Sequence, residues 1–496
     1  MSLMELKSGS DIRGTAVGEG NKLTDEVVGK FAKAFVKILS KKLSKDLTSL
    51  TVSVGGDVRI SSERIRSAVT AALSSQGVTV YDCGLSSTPA MFMTTLKIPV
   101  DGAVQITASH HPYDKNGLKF FTKEGGLSGD DIKEIITLAE DLPEAPEHKE
   151  GKIIPIDFMK EYASDLRKMI IDGLSDGGDD KPLKGLKIAV DAGNGVGGFY
   201  AYDVLEPLGA DISGSQFLEP DGYFPNHTPN PENEEAIKSI SIATLKAKAD
   251  LGIIFDTDVD RAACVDMSGE EINRNRLVAL ASTIALKGNE GGTIVTDSVT
   301  SDGLKKFIEE KLKGKHHRFK RGYKNVIDEA VKLNSEGINA PLAIETSGHA
   351  AFRENYFLDD GAYLITKIII LMSELKKEGK SLLSVISDLE EPVEAKEIRI
   401  PINEADFKPF GEKVISDLLF LANVTDGWTP ANDNHEGIRI SVNDGEGWFL
   451  LRLSVHDPLL VLNLESTVQG KVSEYAAKVK DFLSQYSFLN LEQFIN

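Results

Sequence analysis

Apolar, β-branched runs alternate along this chain with segments whose apolar positions recur at helical spacing. From Leu50 to Gly84 the sequence is LTVSVGGDVRISSERIRSAVTAALSSQGVTVYDCG. Val52 and Val54 alternate as in a strand, and a turn bearing Gly and Asp follows. Ser61 or Ser62 can cap a helix whose apolar face is Ile65, Ala68, Val69, Ala72 and Leu73, the spacing of an amphipathic helix. Gly77 ends that helix, and Val78 to Tyr81 starts a second strand. The same strand–turn–helix order returns from Leu186 (LKIAVDAGNGVGGFYAYDVLEPLGADIS) and from Gly292 (GTIVTDSVTSDGLKKFIEEKL). Units of this kind predict parallel or mixed sheets covered by helices, and three of them predict a triplicated α/β architecture. The last hundred or so residues differ. Ile438–Val442 and Trp448–Leu453 alternate as strands, and an amphipathic helix near Val472–Leu483 closes an α+β domain.

A polar, Pro-bearing linker at 143–155, a boundary near 270–277 after the strand that follows the Asp cluster, and a third near 390–405 divide the chain into domains at 1–150, 151–270, 271–392 and 393–496. The 496 residues fit that division at about 150 residues per domain. Lys and Arg number 56 against 76 Asp and Glu, a formal charge of −20. That balance excludes the basic footprint of a nucleic-acid binder. An anionic ligand then needs a locally basic, backbone-lined or metal-containing pocket. The most apolar run, Leu364–Met372, is short and broken by Lys367, so no membrane span is expected. Two cysteines, Cys83 and Cys264, and an N-terminus without an apolar signal core predict a reducing, cytoplasmic setting.

Four segments carry candidate chemistry. In DGAVQITASHHPYDKNGLKFF an apolar strand runs into a polar turn that presents Ser109, His110 and His111, with Lys119 on the next strand. A loop at the carboxyl end of a strand is where α/β sheets place reactive groups, and imidazoles can hold an anion or move a proton. A solvated turn closed by Pro112 is the competing account. In LGIIFDTDVDRAACVD, Asp256, Asp258 and Asp260 alternate after a strand. Three carboxylates so spaced repel unless a cation joins them, and oxygen-only ligands select a hard cation such as Mg²⁺. Arg261 adds a fork for phosphoryl oxygens. An EF-hand fails here, because Arg261 and Met267 occupy the positions of its glycine and glutamate. A structural Asp turn is the remaining alternative. In APLAIETSGHAAF, Glu345 and Ser347 can clasp vicinal sugar hydroxyls, and His349 can act as acid or base. A helix-capping turn explains that segment nearly as well. In GWFLLRLSVHDPLLVLNLES, Arg452, Ser454 and His456 can offer donors to a phosphate, or belong to an ordinary strand.

In this order the four motifs resemble those of the α-D-phosphohexomutases, the phosphoglucomutases and phosphomannomutases, over essentially the whole chain. TASHHP is similar to that family's phosphoserine loop, DTDVDR to its Mg²⁺ loop and ETSGH to its sugar-recognition loop. SGSDIRG, GGDVRISS, SSTPA and DGYFPNHTPNPEN also match family patterns. The resemblance implies four domains around a central cleft, the first three similar mixed α/β sheets flanked by helices and the fourth a smaller α+β domain that holds phosphate. It implies that phosphorylated Ser109 exchanges its phosphoryl group with a hexose monophosphate through a bisphosphorylated sugar. Mg²⁺ would sit on Asp256, Asp258, Asp260 and Ser109, with glucose 1,6-bisphosphate or an equivalent as activator. Lys119, Arg13, His110 and Arg261 would surround the transferring group, with Lys119 and His349 as candidate acid and base. Glu345 and Ser347 would hold sugar hydroxyls, and Arg452, Ser454 and His456 the other phosphate. The implied protein is a cytoplasmic monomer or homodimer without nucleic-acid or membrane partners.

The phosphate loop departs from the family pattern. Val455, His456 and Asp457 replace its small and threonine-like positions, and Asn463 stands where a later Arg is expected. Losing a bidentate Arg is not a conservative change. The departure leaves the sugar open among glucose, mannose and glucosamine phosphates, and motivates a non-catalytic sugar-phosphate binder as an alternative. An intact Ser109, Asp triad and Lys119 argue against that binder. A phosphatase that releases the phosphoryl group to water is a further alternative, disfavoured where closure excludes water.

Overall fold

The computed structural model describes residues 2–142, 150–174, 180–454 and 457–495. The chain forms two compact units, one of Met1–Ile284 with Ser347–Val385 and one of Ala285–Thr346 with Ile386–Asn496.

In the first unit a mixed sheet carries its strands in the order Lys7–Ser8, Asp11–Thr15, Lys115–Thr122, Gly102–Ile106, Thr51–Gly56, Thr79–Leu85 and Ile153–Pro155. Thr51–Gly56 runs parallel to both Thr79–Leu85 and Gly102–Ile106, and Lys115–Thr122 returns antiparallel to Gly102–Ile106. Gly102–Ile106 is buried along its whole length, as a strand covered by helices on both faces should be. The helix Asp25–Leu43 starts where the Thr24 hydroxyl accepts the Val27 amide, and it buries Phe31, Phe35, Ile38 and Leu39. Phe35 packs on Phe120 of the sheet with ring centroids 4.8 Å apart. Each fully buried side chain of this size contributes about 2 kcal/mol.

The expected helix after Thr51–Gly56 spans Ser62–Ser74 and buries Ile65, Val69 and Leu73. Ser61 stands at its cap position without capping it. Its hydroxyl instead accepts Asn116 Nδ2 at 2.9 Å, and Ser62 donates to Asp57 at 2.7 Å. Both hydroxyls are drawn to the site rather than to the helix.

A second sheet of this unit places Leu251–Phe255 between Ile188–Asp191, parallel to it, and Ala262–Asp266, antiparallel. After Ile188–Asp191 the helical pattern becomes a π-helical turn, Tyr200–Leu205. There the buried Tyr200 hydroxyl meets Thr366 Oγ1 at 2.7 Å on the helix Gly361–Lys377. Ala350–Phe352 and Leu358–Asp359 pair antiparallel just before that helix.

The second unit holds three parallel strands, Lys315–Arg318, Thr293–Thr296 and Leu342–Ile344, in that order. It also holds an antiparallel sheet ordered Glu394–Pro401, Leu459–Ser466, Gly447–Leu453, Ile438–Val442 and Trp428–Pro430. The helices Phe407–Ala422 and Lys471–Leu483 bury Val414, Leu418, Tyr475 and Val479 in the core of that sheet. The buried Arg439 guanidinium lies 3.5 Å from the Trp448 ring centroid and donates to Asp302 at 2.9 Å. Trp448 donates its indole N–H to Glu465 at 2.9 Å. Among the described residues no helix is long and apolar enough to cross a membrane.

Candidate active site

Ser109 follows the buried strand Gly102–Ile106, and its backbone is in the left-handed region at φ 51°. A serine stays in that conformation only where its surroundings fix it. Here the Ser109 amide donates to Thr107 Oγ1 at 2.9 Å, and Thr107 donates to Asp57 at 2.8 Å. Arg59, with a fully buried side chain, holds the rest of the loop. Its Nη1 donates to the carbonyls of Pro112 (2.6 Å) and Lys115 (3.0 Å). Its Nη2 donates to the carbonyls of His111 (2.6 Å) and Ser109, and its Nε to Asp57 at 3.1 Å. Residues 57, 59 and 107 therefore set the path of the loop.

The three aspartates occupy the connection between the antiparallel strands Leu251–Phe255 and Ala262–Asp266, and all three are completely buried. Ser109 Oγ donates to Asp256 Oδ2 at 3.2 Å. Arg261 bridges the same two groups, with Nε 3.2 Å from Asp256 Oδ2 and Nη2 3.4 Å from Ser109 Oγ. Lys119 Nζ lies 2.5 Å from Asp260 and 3.5 Å from Asp258. Thr88, at the start of the helix Thr88–Lys97, donates its hydroxyl to Asp258 at 2.5 Å and its amide to the Asp258 carbonyl at 2.9 Å.

Ligand oxygens of Asp256, Asp258 and Asp260 all lie within 4.8 Å of one another. Asp258 Oδ1 and Asp260 Oδ1 are buried without a hydrogen-bond partner. Three buried carboxylates this close together, two of them with an unpartnered oxygen, fit a hard divalent cation. Burial, and then the neighbouring Asp260 and Asp258 charges, push Asp256 well above the usual carboxylate range. Burial acts in the same sense on Asp260, but Lys119 and then His349 override it and hold that carboxyl low.

His110 Nδ1 is 3.3 Å from Ser109 Oγ, and its ring stacks on His111 with centroids 5.1 Å apart. Burial and the adjacent Arg261 charge lower His110 to about 2, and burial and Arg13 lower His111 to about 4. Both imidazoles are neutral at physiological pH. His349 is the opposite case. Burial disfavours its charge, but the Asp359 carboxylate, 2.5 Å from Nδ1, and then Asp260 raise it to about 9. The segment before it is a turn rather than a helix cap. Gly348 stands at φ 94°, where a Cβ would come within 2.7 Å of the Ala262 carbonyl oxygen. The bridge between Arg261 and His349 thereby brings the third motif against the Asp loop. Arg13 lies on Asp11–Thr15 and donates to Asp11 at 2.7 Å.

The first unit thus gathers Ser109, His110, Lys119, Arg261, His349 and the three aspartates, and it also contains Arg13 and Ser347. Glu345, Arg452 and Ser454 belong to the second unit. There Glu345 Oε1 accepts the Gly322 amide at 2.6 Å. Arg452 is buried near the end of the strand Gly447–Leu453, with Nη1 3.8 Å from Glu436. Ser454 Oγ accepts the Asp457 amide at 3.2 Å. Asn463 faces Glu397, donating to it at 3.1 Å. His456 lies outside the described residues.

Sequence reasoning missed the roles of Asp57, Arg59, Thr88 and Asp359. The segments GGDVRISS and SSTPA carry the first three, but nothing local shows what they hold.

Sequence models of the phosphoglucomutase/phosphomannomutase α/β/α domains I, II and III match residues 4–145, 160–269 and 273–392. A phosphoglucomutase of Neisseria meningitidis is 28% identical over 471 residues, which are 95% of each chain. A phosphomannomutase of Vibrio cholerae is 30% identical over 493 residues, covering 95% of this chain and 97% of its own. The crystal structure of a phosphoglucomutase/phosphomannomutase family protein from Burkholderia thailandensis matches with a TM-score of 0.81 at 26% identity, covering 98% of each chain. With three domain models matched in succession and Ser109 set against a buried aspartate triad, the chain belongs to the phosphoglucomutase/phosphomannomutase family, the α-D-phosphohexomutases.

Proposed function

We propose that this phosphohexomutase moves a phosphoryl group between the 1- and 6-positions of a hexose phosphate by way of phosphorylated Ser109. The observation that carries the reading is the contact of Ser109 Oγ with both Asp256 and Arg261. In the forward half, the P–O bond to Ser109 breaks as a bond forms from phosphorus to the free sugar hydroxyl. That hydroxyl loses its proton, and Ser109 Oγ gains one. The second half runs in reverse from the other end of the reoriented bisphosphorylated sugar, so the sugar is isomerised and Ser109 is phosphorylated again.

The side chains divide this work. Arg261 presents its guanidinium to the oxygens around Ser109. Neutral His110 accepts or donates one hydrogen bond there without adding charge. His349, kept protonated by Asp359, is the proton donor. Lys119, between Asp258 and Asp260, orders the far side of the carboxylate cluster and is the candidate partner in proton transfer. Asp256, Asp258, Asp260 and the phosphorylated serine would hold Mg²⁺, which when bound supplies positive charge against the phosphoryl oxygens. Glu345 and Ser347 are assigned to sugar hydroxyls, and Arg452 and Ser454 to the phosphate that is not transferred. Glucose 1,6-bisphosphate or an equivalent would prime Ser109.

The test is a coupled assay with Mg²⁺ and a trace of glucose 1,6-bisphosphate, comparing glucose 1-phosphate, mannose 1-phosphate and glucosamine 1-phosphate. Turnover that disappears in Ser109→Ala is expected, and the ratio between sugars fixes the substrate. Equal turnover by Ser109→Ala would sink the mechanism.

A further inference from the structure

Arg261 meets a different acceptor through each of its three side-chain nitrogens. Nε donates to Asp256 Oδ2 and Nη2 to Ser109 Oγ, while Nη1 donates to Asn230 Oδ1 at 3.2 Å. The first two acceptors change charge in the proposed reaction. Ser109 gains and loses a phosphoryl group, and Asp256 belongs to a cluster whose charge depends on a cation. Asn230 is neutral throughout. The Glu232 carboxylate stands 3.6 Å from the same Nη1, too far for a good hydrogen bond. Asn230 is thus the acceptor that can hold the guanidinium in one orientation while the other two are altered.

The chain around Asn230 has little freedom. In the run NHTPNPEN it stands between Pro229 and Pro231. A proline fixes its own φ and restricts the residue before it. The Asn230 amide donates to the Thr228 carbonyl at 2.9 Å, and its carbonyl accepts the Asn233 amide at 2.9 Å. Oδ1 also accepts the Glu232 amide at 3.0 Å, which fixes the direction of the side chain. Upstream, the buried His227 ring has Nδ1 3.0 Å from the Thr228 carbonyl and Nε2 3.0 Å from both oxygens of Asp191. Both nitrogens face acceptors, so both donate and the ring is charged. Burial opposes that charge, but the bond to Asp191 outweighs it and raises the histidine above its ordinary value. Downstream, the Pro231 carbonyl accepts Asn273 Nδ2 at 2.8 Å. Asp191 ends the strand Ile188–Asp191, and Asn273 follows Glu271–Ile272. These are the two outer strands of one sheet and run in the same direction. The segment is therefore anchored at both edges of the sheet, at the carboxyl ends of its strands, where α/β sheets bind ligands.

We infer that Asn230 is a positioning residue for the phosphoryl transfer: it holds Nη1 of Arg261 so that Nη2 stays aimed at the oxygen of Ser109. The inference rests on the hexose-phosphate reading above.

Steady-state kinetics of Asn230 variants with glucose 1-phosphate and mannose 1-phosphate test it. Asn230→Ser keeps a short acceptor for the Glu232 amide but cannot reach Arg261. It should lower kcat about 10- to 100-fold, with KM nearly unchanged and the thermal midpoint kept, because misplacing a charge costs rate rather than binding. Asn230→Asp reaches both partners and should recover most of the loss. In an Arg261→Gln background, adding Asn230→Ser should lower the residual kcat by no more than about 2-fold, since the two residues act as one unit. Asn230→Gln, which displaces the guanidinium by a methylene, gives the same reading should the serine variant not fold. An unchanged kcat in these variants, or a loss that multiplies in full with that of Arg261→Gln, overturns the assignment. Absence of turnover of any hexose phosphate by the unmutated protein would instead refute the functional reading, and this inference with it.

Discussion

The Thr107 hydroxyl donates to Asp57 at 2.8 Å while accepting the Ser109 amide at 2.9 Å, so a buried carboxylate fixes the backbone of Ser109 through one intermediary. Arg59 binds the same carboxylate oxygen at 3.1 Å and four carbonyls of the loop. A lysine offers no planar fork and cannot replace that set. Arg59→Lys should lower kcat about 100-fold through misplacement of Ser109, with little change in KM. It should also cost about 3 kcal/mol of stability, because Asp57 is left buried and poorly paired. Steady-state kinetics and thermal unfolding check both, and a variant with full kcat refutes the role.

His349 and Asp359 set an expectation for pH. The imidazole stays charged up to about 9, so a proton donor at this site is lost only above that value. Asp359→Asn removes the largest favourable charge and should move the alkaline limb of kcat down by at least about one pH unit, toward the ordinary histidine value. The ion pair also adds stability that is complete below the unfolded histidine value of about 6.5 and is lost as pH rises through the folded value. An alkaline limb unmoved in Asp359→Asn would show that His349 is not the donor.

The aspartate triad predicts a proton coupled to cation binding. With Asp256 raised well above the usual range, the three carboxyls do not all ionise together without a cation. Mg²⁺ binding should therefore release protons and weaken as pH falls, which calorimetry in buffers of different ionisation enthalpy measures directly. A chelator should abolish turnover and Mg²⁺ restore it. Asp258→Asn should weaken the cation at least about 10-fold. Binding without proton release would contradict a shared proton.

Glu465 makes the stability of the last domain fall as pH rises. Burial raises it to about 7, against the opposing pull of Arg439. A carboxyl raised on folding stabilises below its unfolded value of about 4.5, and that contribution is lost as pH rises through the folded value. Glu465→Gln keeps an acceptor for Trp448 Nε1 and should flatten the fall in melting temperature between those limits. A slope that survives the substitution would place its origin in another group.

Much of the site was legible because its residues follow apolar strands directly. Ser109 comes after Gly102–Ile106, and the aspartates after Leu251–Phe255, so periodicity alone puts both at strand ends. What escaped was support from a distance. Thr88 meets Asp258 across 170 positions of sequence, and no local pattern encodes that contact. Asp359 reaches His349 because the short pair Ala350–Phe352 and Leu358–Asp359 folds back on itself, which the mixed residues of 350–359 do not announce. The segment after Ile188–Asp191 carries a helical signal, but Tyr200 must turn inward to meet Thr366, and the backbone widens to a π turn there. Ser61 and Ser62 look like helix caps, yet each answers to the buried polar groups beneath the serine loop.

Four of the bonds that Arg59 makes to the serine loop end on main-chain oxygens, those of Ser109, His111, Pro112 and Lys115. Such a grip is blind to side chains. The positions between the serine and the next strand can exchange their imidazoles, ring or carboxylate while the peptide keeps its course. The loop then behaves as a cassette, its chemistry open to revision by single substitutions on a scaffold that does not have to be reinvented each time.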